Sequence, residues 1–213
     1  MRTNRISGLL LSVMAFTAPG FAQETADSVA PEGASEGQVQ ALTDELIAAL
    51  EAKTSGVPVQ SENWMVAAAN PLAVEAGAKI LRAGGSAADA MVAVQVVLGL
   101  VEPQSSGLGG GAFLVWYDAA TGQLTTLDGR ETAPLDATPT LFQDENGEPL
   151  QFFDAVVGGL SVGTPGTPAL LEEAHRRWGR SPGPGLFTDG IRLADDGFLV
   201  SPRLASLVAN DAE

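Results

Sequence analysis

The spacing of apolar residues divides the chain into segments typical of helices and segments typical of strands. Residues 87–101 form a nearly continuous run of Ala, Val and Leu, with Gln95 as its polar interior residue. This run is shorter than the roughly 20 apolar residues that cross a bilayer, and it is too apolar on all sides to lie on a surface. The pattern therefore predicts a buried helix at the centre of a globular domain.

Capping residues mark where the predicted helices begin and end. Asn70 suits an N-cap and Pro71 suits the first helical position of a helix that Gly84 would end. Ser86 and Asp89 form a variant capping box at the start of the buried run. Helical spacing predicts further helices at residues 37–52, 167–178, 186–194 and from residue 202 onward.

β-branched and aromatic residues predict strands elsewhere in the chain. Residues 112–118 and 123–128 are two such segments, and the four residues between them end in Gly122, which predicts an antiparallel hairpin. Residues 64–69 form a short apolar run with strand character, and residues 158–166 predict a short buried strand or loop before the next helix. Together these segments predict a mixed α/β fold of the α+β type, rich in helix and with one β-hairpin.

A loop with four glycines in five residues, 107–111, joins the buried helix to the hairpin. Glycine takes positive φ and lets the backbone approach another chain or a ligand, so we expect Gly109→Val to damage folding. Gly107, Gly109 and Ala112 also match the dinucleotide-binding fingerprint, which follows a strand and opens a helix. Here a helix comes first and a strand follows, so the sequence favours a tight helix-to-strand turn over a nucleotide site.

The charge of the chain and its lack of cysteine exclude several classes of function. A formal net charge of −15 and a pI of about 4.2 argue against nucleic acid or an anionic membrane as partners. Without cysteine there are no thiolate zinc sites, iron–sulfur clusters, disulfides or Cys nucleophiles. His175, the single histidine, stands beside Arg176 and Arg177, which favours a solvated helical position. The sequence predicts no metal site and no cofactor.

The first 22 residues resemble a secretory signal peptide in three respects: a cationic start, an apolar run over residues 6–16, and small residues before a cleavage site after Ala22. Cleavage there would place the mature chain, starting at Gln23, in the periplasm or outside the cell, without a membrane anchor. An uncleaved N-terminal anchor is the alternative. Residues 23–63 are rich in acids and predict a solvated leader that contains the short amphipathic helix, and the compact domain is predicted over residues 64–213.

Seven short sequence blocks stand in a fixed order between residues 64 and 207. They are MVAAANPLA (65–73), GGSAADA (84–90), VEPQ (101–104), GLGGG (107–111), DGRE (128–131), GTPGT (163–167) and LADDGF (193–198). Together these blocks resemble the gamma-glutamyltransferases, also called gamma-glutamyltranspeptidases, and correspond to the N-terminal part of that family's large subunit, so the domain would be incomplete. Asn70 stands where many members have His, and Ser86 where many have Asn, but both remain competent N-caps.

The resemblance implies an N-terminal-nucleophile (Ntn) hydrolase with an αββα sandwich fold, of which this chain holds a part. In that family a precursor cleaves itself, and a newly exposed threonine attacks the γ-glutamyl carbonyl of glutathione or a related amide. Water, an amino acid or a peptide then resolves the acyl-enzyme. A threonine whose own α-amine acts as the base needs neither histidine nor cysteine. By this resemblance the threonine lies beyond Glu213, in the small catalytic subunit from the same precursor, and no catalytic residue lies in this chain.

Arg130, in the block DGRE, is the candidate substrate-binding residue. It resembles the family arginine that holds the α-carboxylate of glutamate, and a planar guanidinium at a strand end suits a carboxylate. The alternative role for Arg130 is a structural ion pair with Asp128 or Glu131. For the whole chain, the alternative is a non-catalytic secreted module that binds a partner through its acidic leader and its loops. A reading frame that continues to a threonine-initiated segment would favour the enzyme.

Overall fold

A computed structural model describes residues 42–211 of the chain. The predicted signal peptide and the first part of the predicted leader, residues 1–41, lie outside these described residues. Among residues 42–211, no helix is long and apolar enough to cross a membrane. The helices are α1 (Asp44–Thr54), α2 (Pro71–Arg82), α3 (Ala87–Val101), α4 (Phe152–Val156), α5 (Thr167–Trp178), α6 (Thr188–Asp196) and α7 (Pro202–Asp211); the strands are β1 (Ala112–Asp118) and β2 (Gln123–Gly129); and short 3-10 turns occur at Gly159–Ser161 and Gly183–Phe187.

Helix α3 is the element on which the others pack, and its bounds are those predicted from the apolar run. It contacts α2, α5 and α6. The predicted capping box is present, because Asp89 N donates to Ser86 Oγ at 3.1 Å and Ser86 N donates to Asp89 Oδ2 at 2.8 Å. Two bonds of this kind satisfy backbone donors that the first helical turn would otherwise leave unpaired. Local sequence therefore accounts for where the central helix begins.

Two apolar clusters lie on two faces of α3. The first contains Val97 and Val101 together with buried residues of α2 and α6. The second contains Val92 together with Leu114 of β1 and buried leucines of α5. Full burial of one such side chain stabilises a protein by about 1.5–3 kcal/mol. Because α3 contributes to both clusters, it links the helical part of the domain to the hairpin.

Helix α1 docks on the body of the domain. The predicted helix covers residues 37–52, and the described helix runs over Asp44–Thr54, while residues 37–41 lie outside the described part of the chain. The apolar side of α1, which includes Leu46 and Leu50, packs against the first cluster. At the polar side, Arg82 of α2 donates to Glu45 at 3.2 Å. The apolar spacing read from the sequence is thus the docking face of this helix.

The hairpin of β1 and β2 forms an antiparallel two-stranded sheet, as predicted. Its register pairs Ala112 with Gly129 at the open end and Asp118 with Gln123 at the turn. Gly122 closes the turn with φ of 70°, a conformation that glycine adopts at no steric cost. The fold of the described residues is therefore the helix-rich α+β arrangement with one hairpin that the sequence predicts.

The two faces of the hairpin have different surroundings. Trp116 of β1 stacks on Trp178 of α5, with ring centroids 4.6 Å apart and an interplanar angle of 7°. The opposite face carries four apolar side chains, each more than 60% exposed. Soluble domains seldom leave such a contiguous apolar surface in water unless something covers it. These four residues, named here the open hairpin face, are Phe113, Val115, Tyr117 and Leu124.

Of the two further segments with strand character, one is not a strand and the other is a loop. Residues 64–69 belong to no helix or strand, and Trp64 and Met65 are exposed. β-propensity describes how well a residue fits a sheet, and a strand forms only beside a partner strand, which no described segment provides here. Residues 158–166 form the loop that is one of the two predicted alternatives, with a 3-10 turn, but the loop is mostly exposed and not buried. An isolated bridge joins it to the preceding chain, in which Thr164 N donates to Thr132 O at 2.8 Å.

Candidate functional site

Arg130 directly follows Gly129, the last residue of β2. Its backbone N–H donates to Asp128 Oδ1 at 3.0 Å, and its Nη2 lies 3.7 Å from Glu131 Oε1. The Arg130 side chain is 65% exposed. An exposed ion pair of this length contributes about 0–1 kcal/mol at most. The structural role considered for Arg130, an ion pair, is therefore met only by a weak pair with Glu131. The guanidinium lies at the surface of the described residues.

The backbone around Arg130 is held between two glycines from distant parts of the chain. A Cβ atom at Gly111 would lie within 3.0 Å of Glu131 N and of Arg130 Cα. A Cβ atom at Gly166 would lie within 3.0 Å of Arg130 O and of the Gly129 carbonyl. Only glycine permits such close approach of one backbone to another. The position of Arg130 thus depends on two residues that carry no side chain.

A single carbonyl group joins the glycine loop to the start of α5. Gly110 O accepts from Gly166 N and from Thr167 N, each at 3.1 Å, and from Thr167 Oγ1 at 3.1 Å. Thr167 is buried. Three of the seven sequence blocks, 107–111, 128–131 and 163–167, therefore meet around the backbone of Arg130. Their sequence separation gave no physical reason to expect this contact.

A buried carboxylate anchors the other end of the glycine loop. Glu102, at the end of α3, is 1% exposed. It accepts from Asn70 Nδ2 at 3.0 Å, from Gln104 Nε2 at 2.6 Å and from Arg203 Nη1 at 3.2 Å. Sequence analysis assigned Glu102 no individual role, although a single acid at the end of a long apolar run was a signal for a paired, buried charge. Directly before the loop, Ser106 Oγ accepts from Gln95 Nε2 of α3 at 2.9 Å.

The expectation for Gly109 is wrong. Among the described residues, the glycines with positive φ include Gly84 and Gly122, and none lies within 107–111. A Cβ atom at Gly109 would meet nothing within 4 Å, and most of the loop is exposed. The glycine that the geometry requires is Gly111, because of close approach to Glu131 and not because of its own backbone angle.

His175 is partly buried, which corrects the prediction of a solvated position. Its side chain is 31% exposed, and its Nε2 lies 2.9 Å from Ser181 O and 3.4 Å from Asp89 Oδ1. Asp89 also accepts from Arg180 N at 2.9 Å. Burial opposes ionisation of Asp89, but backbone N–H groups donate to its carboxylate and hold its pKa below the usual value. This cluster ties the start of α3 to the turn after α5, at the opposite end of α3 from the glycine loop, so its role is structural.

Within residues 42–211, no group of three or more His, Cys, Asp or Glu side chains is arranged to hold a metal ion. The chemistry that the described site supports is recognition of an anion by the Arg130 guanidinium. A planar guanidinium binds a carboxylate through two parallel hydrogen bonds.

The sequence profile of a known family, Gamma-glutamyltranspeptidase, matches residues 73–213. The chain belongs to the gamma-glutamyltranspeptidase family. The matched region contains the glycine loop, the hairpin and Arg130. Members of this family are enzymes, and the resemblance to this family is confirmed.

Relatives within the gamma-glutamyltranspeptidase family are longer than this chain. The glutathione hydrolase proenzyme of Bacillus subtilis (strain 168) is 46% identical over 152 residues, which cover 71% of this chain and 26% of that protein. The chain thus spans about a quarter of the length of the curated relatives it matches.

Solved gamma-glutamyltranspeptidases share the fold of the described residues. The crystal structure of the Helicobacter pylori protein matches with a TM-score of 0.68 at 35% identity, over 72% of this chain and 44% of that chain. The Pseudomonas nitroreducens protein, solved in complex with L-DON, matches with a TM-score of 0.67 at 34% identity, over 71% of this chain and 44% of that chain. The helix-rich α+β arrangement with its hairpin is therefore part of an Ntn-hydrolase fold.

Proposed function

We propose that this chain forms the donor-binding part of an enzyme that hydrolyses or transfers the γ-glutamyl group of glutathione and related γ-glutamyl amides. In this proposal Arg130 binds the α-carboxylate of the donor. The observation that carries it is the geometry of Arg130, whose backbone is held between Gly111 and Gly166 while its side chain is largely exposed. Bidentate recognition of a carboxylate requires a rigidly held backbone and an accessible planar guanidinium.

A carboxylate bound by Arg130 on this chain alone would lie in water, where an ion pair contributes about 0–1 kcal/mol. Exclusion of water strengthens the same pair, because charges interact more strongly at a lower effective dielectric constant. The proposal therefore requires a second surface that closes over Arg130 once the donor is bound. We assign that surface to the small catalytic subunit of the same precursor.

The proposed nucleophile is a threonine that starts the small subunit, beyond Glu213. Its Oγ attacks the γ-glutamyl carbonyl, its own α-amine takes the hydroxyl proton, and the donor's amine leaves with a proton. Water resolves the acyl-enzyme in hydrolysis, and an amino acid or peptide resolves it in transfer. Thr167 of this chain is unsuited to that task, because its nitrogen is in a peptide bond and donates to Gly110 O, as does its hydroxyl.

The open hairpin face supports the assignment of donor binding to this chain and of the nucleophile to a second subunit. Its four apolar side chains form an unpartnered surface on the sheet that ends at Arg130. In the proposal, residues 64–213 are the first part of the large-subunit domain, and the remaining chain of the precursor covers this face. Burial of that apolar area would contribute to assembly of the enzyme at about 25 cal/mol per Å².

The proposed location is the periplasm or the exterior of the cell. It follows from the proposed signal peptide, residues 1–22, and leaves the acidic leader, residues 23–63, at the start of the mature protein. N-terminal sequencing of the exported protein tests this organisation and should return Gln23 as the first residue. A cytoplasmic protein that starts at Met1 would contradict it.

The function is tested with the purified chain from residue 23 to residue 213 and a chromogenic γ-glutamyl anilide. We expect no release of the aniline by the chain alone, and release once the downstream threonine-initiated segment is added. Turnover by the chain alone would show that the nucleophile has been assigned to the wrong segment. Persistent inactivity of the mixture, despite stable association of the two parts, would favour the alternative of a non-catalytic binding module.

A further inference from the structure

The N-terminal part of the described chain forms a cavity with the family domain. Residues 59–66 and helix α1 lie over α2 and border a cavity of about 320 Å³ that is open to solvent. Sites for small molecules have volumes of roughly 300–1,000 Å³, so this cavity is at the lower end of that range. The family match begins at residue 73, which places the α2 wall inside it and the other two walls outside it. None of the lining residues belongs to the glycine loop, to β2 or to Arg130.

One part of the cavity is apolar. This part is lined by Leu46 of α1, by Val59 and Trp64 of the segment 59–66, and by Val74 and Ala78 of α2. Val59 and Trp64 remain considerably exposed because the cavity is open to solvent on their side. An indole ring beside a cavity offers both apolar area and a π face that attracts cations.

The other part of the cavity carries charge. Glu75 of α2, with a side chain only 7% exposed, accepts from Arg82 Nη1 at 3.1 Å and from Thr43 Oγ1 at 2.9 Å. Glu45 of α1 accepts from Arg82 Nε at 3.2 Å, and its side chain is mostly exposed at the rim. The charged lining residues are thus two carboxylates and one guanidinium, which leaves one net negative charge.

We propose that this cavity binds a small organic cation with an apolar body, of the class of arylalkyl or alkyl primary ammonium ions. The apolar body lies against Leu46, Val74 and Ala78, and the ammonium group lies at the carboxylate end near Glu45. Trp64 stabilises the cation through its ring face. An anion of the same size meets a net negative charge and is rejected. The proposal is independent of the Arg130 site, since it uses a different surface of the domain.

Calorimetric titration of the purified chain with 2-phenylethylammonium chloride at low ionic strength tests the proposal. Saturable binding is expected, together with a change in the fluorescence of Trp64 that is absent in Trp64→Phe. Phenylacetate, which has a similar size and the opposite charge, should bind at least about tenfold more weakly, because it meets the like charge of the cavity. Equal affinity for the two compounds, or no saturable signal for the ammonium ion, would overturn the proposal.

Two variants locate the binding to this cavity. Ala49 lines the cavity, so Ala49→Leu should fill it and weaken binding by at least about tenfold, since one misplaced methylene in a pocket already has effects of about 10–200-fold. Ala48 is exposed on the same helix and is not a lining residue, so Ala48→Leu is the matched control. Glu45→Gln, at the exposed rim, should weaken binding about two- to fivefold. Identical binding by the Ala49→Leu and Ala48→Leu proteins, with unchanged melting temperatures, would place the ligand elsewhere and refute the assignment.

Discussion

At the scale of single residues, the candidate site depends on two glycines without side chains as much as on the guanidinium of Arg130. Arg130 supplies the guanidinium, but Gly111 and Gly166 allow its backbone to lie where it does. The hydroxyl of Thr167 then holds the glycine loop in place through Gly110 O. Two kinds of substitution therefore separate the chemistry of the site from its geometry: changes of the Arg130 side chain, and addition of a methyl group at Gly111.

In the proposed enzyme, assembled with the proposed threonine-initiated segment, Arg130→Gln should lower kcat/KM by about 30-fold or more. Truncation of one partner of a buried charged pair costs about 2–5 kcal/mol, and about 1.4 kcal/mol corresponds to a factor of ten. Arg130→Lys keeps the charge and loses the planar fork, so it should be impaired as well. Steady-state kinetics with a γ-glutamyl anilide measure both, and Arg192→Gln on the surface of α6 is the control. Wild-type kinetics in both Arg130 variants would leave Arg130 with a structural role only.

Gly111→Ala should destabilise the chain by about 1–3 kcal/mol, the usual cost of forcing extra volume into a packed site. The added methyl group would collide with the backbone of Arg130 and Glu131. Gly109→Ala is the matched control in the same loop, because its Cβ would meet nothing within 4 Å, and its effect should stay within about 0.5 kcal/mol. Urea denaturation of the three proteins measures the difference. Equal stability of the two variants would contradict the close approach at Gly111.

At the scale of elements, helix α3 is held at both ends by a buried carboxylate. Asp89 caps its start and accepts from the turn after α5, and Glu102 at its end joins it to α2 and α7. Each carboxylate links segments that are far apart in sequence. The two carboxylates differ in their relation to the candidate site, because Glu102 lies beside the glycine loop and Asp89 lies away from it.

Asp89→Asn should destabilise the chain at pH 7 by about 1.5–3 kcal/mol, the usual contribution of hydrogen bonds to a charged group. The folded-state pKa of Asp89 lies below its unfolded value, which is near 3.9. Its contribution is therefore complete at neutral pH and is lost as the pH falls from about 4 through the folded-state pKa. The difference in unfolding free energy between wild type and Asp89→Asn, measured from pH 7 to pH 2, should shrink over that acid range.

The exposed Asp195 of α6 provides the control for the Asp89 prediction. Asp195→Asn makes the same chemical change on the surface, where substitutions usually alter stability by no more than about 0.5 kcal/mol. If Asp89→Asn and Asp195→Asn had the same pH dependence, the carboxylate of Asp89 would not be stabilising the junction of α3 and α5.

At the scale of the whole molecule, the described residues are a helical body with an exposed apolar sheet surface. The first cluster is closed by α1, α2 and α6, whereas the described residues cover the sheet on one face only, with α3 and α5. A protein with a net charge of −15 repels copies of itself, which opposes association through the open hairpin face at low salt. Salt screens this repulsion and leaves the apolar attraction intact.

The purified chain should therefore associate with itself more strongly as salt is raised from about 10 mM to 500 mM, a range over which charge repulsion between exposed groups is largely screened. Tyr117→Lys, in the middle of the open hairpin face, should reduce this association. Leu135→Lys adds the same charge at a fully exposed loop position and is the control. Sedimentation velocity measures the mass distribution. Association that is equal in the two lysine variants would show that the contact lies outside the hairpin.

Local information in the sequence determined the bounds of most elements and the family. The capping pair Ser86 and Asp89, the cap at Asn70 and the turn at Gly122 act through neighbours two to four residues away, so their effect can be read without a tertiary structure. Family membership follows from the order of short blocks. Arg130 could be singled out by its resemblance to a family arginine, and its assignment as a substrate-binding residue stays a prediction.

Only the tertiary structure decided what surrounds Arg130 and which segments are not strands. Gly111 and Gly166 are separated by more than fifty residues, and their contact with the backbone of Arg130 depends on how α5 packs against the hairpin. Glu102 is buried because three distant side chains satisfy its carboxylate, and residues 64–69 lack the partner that a strand requires. Long-range packing sets all of these features, because close approach and burial depend on which segments meet in space and local hydrogen bonding does not specify that.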